Sequence, residues 1–85
     1  MPALQDRFAQ AQEDVNGLAE RPDNDTMLKL YALYKQATQG DATGERSGGF
    51  DFVRAAKLDA WSEIKGTSAE DAMQQYIELV ASLRH

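Results

Sequence analysis

The chain has 85 residues, which leaves room for one small domain, since domains usually run to roughly 150 residues. Hydrophobic residues at 42% and charged residues at 27% place it outside the apolar-poor, highly charged regime of disordered chains. Nine Lys plus Arg against fourteen Asp plus Glu give a net charge of -5, which excludes a nonspecific hold on nucleic acid; with no cysteine and a single His85, disulfides, thiol catalysis, zinc sites and His-based triads fall away as well.

In chain order, Leu4, Phe8, Ala11, Val15 and Leu18 step by four, three, four and three, so they share one helical face. A first helix is predicted over about 4 to 19, ended by the segment Glu20-Arg21-Pro22-Asp23-Asn24-Asp25, because proline disfavours the α conformation of the residue before it. A second helix is predicted from Asn24 or Asp25 through Met27, Leu28, Leu30, Tyr31, Leu33, Tyr34 and Ala37 to Gly40. The thirteen residues 40 to 52 contain four glycines and read as a long exposed loop. The run Gly40 to Arg46 lacks the Gly-Lys-Ser/Thr ending of a phosphate-binding loop, so it is taken as a connector.

Val53, Ala56, Leu58, Ala60, Trp61 and Ile64 restore helical spacing over about 52 to 65, with Gly66 as the left-handed residue that closes the third helix. Thr67-Ser68-Ala69-Glu70-Asp71 then offers a hydroxyl cap with a carboxylate three residues on, and Ala72, Met73, Tyr76, Ile77, Val80 and Leu83 form the stripe of a fourth helix over about 68 to 84. Nothing alternates with period two, so the fold class is all-α, a four-helix bundle with Trp61, Met73 and Tyr76 assigned to the core. No run approaches the roughly 20 apolar residues of a membrane span, and Asp6, Arg7, Glu13 and Asp14 fall where a signal peptide needs an apolar block. A cytoplasmic protein without membrane insertion is expected.

Two features do not fit a plain bundle. On a helical wheel, Met27, Leu28, Tyr31, Tyr34, Lys35 and Thr38 fall within an arc of about 120°, apart from Leu30, Leu33 and Ala37, so the second helix has a core face and a face of phenols with a cation. In the third helix Lys57 lies amid Val53, Ala60, Trp61 and Ile64. Either its stem packs on that face while the ammonium reaches water or a carboxylate, or the cation is held over a groove to bind an anion beside aromatic rings. Asp59 and Glu63 lie one turn apart on the opposite, solvated face, and no general acid/base pair emerges. His85 reads as a solvated terminus.

The run Leu30 to Asp41, LYALYKQATQGD, then Glu45-Arg46, then Lys57 to Tyr76, KLDAWSEIKGTSAEDAMQQY, closely resemble the acyl-CoA-binding protein family, with Phe8 and Pro22-x-x-x-x-Met27-Leu28 extending the likeness over nearly the whole chain. The resemblance implies a single acyl-CoA-binding domain over residues 1 to 85, with an up-down-down-up arrangement and a long crossover between helices two and three. It implies a carrier of long-chain fatty acyl-CoA esters, not a catalyst, needing no cofactor or metal and acting as a monomer. Carried over by position, Tyr31, Lys35 and Lys57 hold the ribose 3′-phosphate, Tyr34 stacks on the adenine, and Tyr76 lines the pantetheine and acyl portion. Met27 and Leu28 lie beside the acyl chain, and Ala32 and Leu33 complete the ligand-binding run from Tyr31 to Lys35. Asn16, Val53 and Ala55 stand where members often carry lysine, Leu58 where tryptophan and Ser47 where proline is common; Arg54 is the candidate replacement cation.

A small bundle presenting Tyr31 and Tyr34 to a partner protein is the competing reading. Acyl-CoA hydrolysis or isomerisation is a third, with no cysteine, internal histidine or paired carboxylates to carry it.

Overall fold

The computed structural model describes residues 3–42 and 52–84, and all its regular structure is helical: α1 (Leu4–Asn16), α2 (Asn24–Gln39), α3 (Phe52–Glu63) and α4 (Ala69–Leu83). Most of the crossover loop, residues 43–51 with Glu45, Arg46 and Ser47, lies outside the described residues, as does His85.

Local chemistry sets the ends. Asp23 caps α2 by accepting the Thr26 N–H at 2.8 Å, and Ser68 caps α4 by accepting the Asp71 N–H at 3.1 Å, so each side chain satisfies a donor that the first helical turn leaves free. α1 stops three residues short of the predicted Ala19. Gly17, which gains least from helical geometry, splits its N–H between the Glu13 and Asp14 carbonyls, and Leu18 turns back onto Val15. α3 likewise ends at Glu63: Ile64 and Lys65 make tight bonds three residues back, before Gly66 turns the chain at φ 94°.

Cross-helix contacts give the directions. Phe8 meets Tyr76 and Asp14 pairs with Arg84 at 3.3 Å, so α1 and α4 run parallel. Tyr31 meets Lys57 and Gln36 meets Trp61, so α2 and α3 run parallel too. Gln36 near the end of α2 reaches the Thr67 carbonyl just before α4, which makes those two antiparallel. The order is therefore up, down, down, up. α4 packs against both α1 and α2, while α3 packs on α2 alone among the described residues.

The core is Phe8 and Ala11 from α1, Leu30, Leu33 and Ala37 from α2, and Ala72, Tyr76 and Val80 from α4. α3 contributes no buried residue. The expectation that Trp61 belongs to the core is corrected: it is half-buried, because its indole N–H reaches the Gly40 carbonyl and the Gln36 amide at the bundle's edge. Met73 is also half-buried, packed against the core instead of inside it. Lys57 is exposed, since the arc around it never closes: Val53 remains 64% exposed and Ala60 and Ile64 are half-buried.

Candidate functional site

A groove of about 670 Å³ opens beside α2, walled by Met27, Leu28, Tyr31 and Tyr34, by Phe52, Val53, Ala56 and Lys57 of α3, and by Tyr76 of α4. Its volume falls within the roughly 300–1,000 Å³ of small-molecule sites. The chain forms it because α3 leans on α2 without reaching α4, so the Tyr/Lys face of α2 is only partly covered.

One end of the groove is cationic. The Lys57 ammonium lies 5.2 Å from the centre of the Tyr31 ring, and the Lys35 ammonium lies 5.7 Å from the same ring and 5.9 Å from that of Trp61. Each distance is within the range at which a ring's negative face attracts a cation. Two cations beside one phenol make a place where an anion with several oxygens would be attracted. In a chain of net charge -5 this is a local reversal of sign.

Tyr34 stands next to this pair with its ring stacked on Phe8, centroids 6.1 Å apart and planes 27° from parallel. The residue remains 38% exposed, so it is supported on its inner side and available to a flat ring on the other. Phe8 also meets Tyr76 edge to face at 5.0 Å. Tyr76 is buried, and burial, with Tyr34 close by, pushes its phenol above the usual tyrosine value, which keeps the group protonated and able to donate.

Of the positions expected at the site, Met27, Leu28, Tyr31, Tyr34, Lys57 and Tyr76 share the groove, and Lys35 joins them through Tyr31. Ala32 and Leu33 do not line it. They sit on the opposite side of α2 with their side chains buried, as a helix advancing about 100° per residue requires. The sequence reading placed none of Val15, Arg21, Asn24, Leu30, Phe52 and Ala56 at the site, although all are in the groove wall. Phe52, 84% exposed beside Val53, carried a signal in the adjacent apolar pair that opens a helix. Arg21 carried none, because only the fold brings the connector after α1 to the groove. Among the described residues no group of acidic or histidine side chains is arranged to hold a metal.

Residues 5–80 match the sequence pattern of the family described as Acyl CoA binding protein. The chain belongs to the acyl-CoA-binding protein family. Acyl-CoA-binding protein homolog 1 of Caenorhabditis elegans is 46% identical over 76 residues, which are 89% of this chain and 88% of that protein. The crystal structure of Oryza sativa acyl-CoA-binding protein 2 superposes with a TM-score of 0.89 at 41% identity, covering 95% of this chain and 90% of that one. A different kind of relative is the enoyl-CoA delta isomerase 2 of Rattus norvegicus, 47% identical over 83 residues and 98% of this chain. The chain spans only 21% of the length of that isomerase, so the family's domain also occurs inside a much longer protein. The all-α, four-helix architecture expected of an acyl-CoA-binding protein family member is the one observed.

Proposed function

We propose that this chain binds long-chain fatty acyl-CoA esters in the groove along α2 and carries them without chemical change. The observation that supports this above all is the groove's polarity: two lysines share the Tyr31 ring at one end, while Met27, Leu28, Phe52 and Val53 supply apolar wall elsewhere. In this reading Lys35, Lys57 and the Tyr31 hydroxyl hold the ribose 3′-phosphate, charge-assisted contacts stronger than neutral hydrogen bonds. Tyr34, backed by Phe8, stacks on the adenine, and the Tyr76 hydroxyl faces the pantetheine and acyl portion. Methylenes leaving water against the apolar wall contribute up to about 0.8 kcal/mol each.

The proposal extends to a single protein molecule per ligand working in the cytoplasm, with no cofactor. Among the described residues no helix is long and apolar enough to cross a membrane.

Calorimetric titration with palmitoyl-CoA, CoA and palmitate tests the reading. Palmitoyl-CoA is expected to bind far more tightly than either fragment, because the acid offers nothing to the lysines and CoA nothing to the apolar wall. Equal affinity for acid and ester would overturn the nucleotide-anchored site. Release of free thiol during the incubation would overturn carriage without chemistry.

A further inference from the structure

Gln36 is the one polar side chain that the described residues bury completely, at 0% exposure, and its amide is satisfied at both ends. Its nitrogen donates to Asp41 Oδ1 and to the Thr67 carbonyl, both at 2.7 Å, and its oxygen accepts the Trp61 indole N–H at 3.1 Å. The same indole N–H is 2.9 Å from the Gly40 carbonyl, and Asp41 Oδ1 also accepts the Gly66 N–H at 2.8 Å. The end of α2, the end of α3 and the connector into α4 are thus tied at one place. Gly40 and Gly66 turn the chain there at φ 81° and 94°, which side chains rarely tolerate.

The other side of this knot is the cationic site. Trp61, held through its N–H, offers its ring to the Lys35 ammonium at 5.9 Å, and Lys57 lies one turn earlier on the same helix, above Tyr31. α3 needs such an anchor. Among the described residues it buries no side chain and packs on α2 alone, so apolar contact, which is not directional, leaves its rotation and sliding weakly set. Hydrogen bonds to a fixed amide supply direction at its last turn.

We infer that the Gln36–Asp41–Trp61 knot is a positioning device for the phosphate site: through the indole N–H it sets where the Lys35 and Lys57 ammonium groups stand, and so governs preference for a ligand that carries the ribose 3′-phosphate. This role rests on the acyl-CoA reading above. None of the three side chains needs to touch the phosphate.

The test compares palmitoyl-CoA with 3′-dephospho-palmitoyl-CoA on the same protein preparations. Trp61→Phe keeps a ring and loses the N–H; it is expected to weaken palmitoyl-CoA binding about tenfold and the dephospho ester by less than roughly twofold. Because both ligands meet the same folded fraction, their ratio is unaffected by any loss of stability. In a Lys35→Ala/Lys57→Ala background the same substitution should change palmitoyl-CoA affinity by less than roughly twofold, since nothing remains to be positioned. Asp41→Ala should lower the ratio, and Asp41→Asn should preserve it, because an amide oxygen still accepts from Gln36 and Gly66. Equal losses on the two esters, or a full effect of Trp61→Phe without the lysines, would overturn the positioning role while leaving the functional reading intact. Wild-type protein that bound neither ester would overturn the functional reading, and this role with it.

Discussion

Lys57 shows how two readings of one residue can hold together. Its position amid apolar neighbours marked it as unusual, yet the side chain is exposed and lies over Tyr31, so the lysine stem covers apolar surface while the ammonium stays wet. Such a residue contributes little to folding. Lys57→Ala and Lys35→Ala are each expected to weaken palmitoyl-CoA binding by about 1.5–3 kcal/mol, the range for hydrogen bonds to charged groups, and to change stability by under about 0.5 kcal/mol. Titration calorimetry and thermal unfolding of the two variants check both halves, and unchanged affinity in both would remove them from the site. Tyr34 separates ring from hydroxyl. Stacked on Phe8, it needs only its face to receive a flat ring, so Tyr34→Phe should leave binding nearly intact while Tyr34→Leu weakens it. At Tyr31 the phenylalanine change should cost affinity, because a phosphate contact there uses the hydroxyl. Equal effects of phenylalanine at both positions would erase this distinction.

At the scale of helices, the capped ends were readable and the uncapped ones less so. The runs Asp23-Asn24-Asp25 and Thr67-Ser68 announce α2 and α4 because a short side-chain acceptor has one local use before a helical stripe, and the fold settles the caps on Asp23 and Ser68. The ends of α1 and α3 depended on how glycine and tight turns share the last carbonyls, which spacing alone does not reveal. Two carboxylates at these junctions make acid sensitivity testable. The bonds that the Thr26 side chain and backbone N–H give Asp23 hold its carboxyl below the usual 3.8, and bonds from the Gly66 N–H and the Gln36 amide do the same for Asp41, with Lys65 assisting. A lowered folded-state value means that the unfolded chain binds more protons as the pH drops. The stabilisation is therefore complete above the unfolded value of 3.8 and is lost as the pH falls below it through the lowered values. Urea unfolding followed from about pH 5 down to about pH 2.5 should show stability declining in that window, with a shallower decline for Asp41→Asn. An identical pH profile for wild type and variant would remove Asp41 from the acid response. Ser68→Ala, a pH-independent comparison, should cost about 1 kcal/mol across the whole range.

For the molecule as a whole, the division of labour lies between a three-helix core and a fourth helix that leans against it. Leu33, buried among α1, α2 and α4, belongs to the first part, so Leu33→Ala should destabilise the fold by about 2–5 kcal/mol. α3 belongs to the second and provides groove wall instead of core. A groove of finite wall predicts how affinity depends on the acyl chain: it should rise by at most about 1.6 kcal/mol per two carbons, less the cost of ordering the tail, and then level off once the wall is covered. Titration of the C8, C12, C16 and C20 esters below their critical micelle concentrations measures this, and a rise without a plateau would argue for association with the outside of the protein. The sequence by itself determined four helices, the core faces of α1, α2 and α4 in outline and the family, because a 3.6-residue period and caps are local, and the Tyr/Lys face of α2 follows from the same period. It also marked Lys57 as the partner of that face. Tertiary structure alone decided that Phe52 and Arg21 wall the groove and that Trp61 leaves the core to bond with Gln36 and Gly40. Those outcomes depend on which helices touch, and α3 packing on α2 alone among the described residues is a property of the assembled bundle that no window of residues contains.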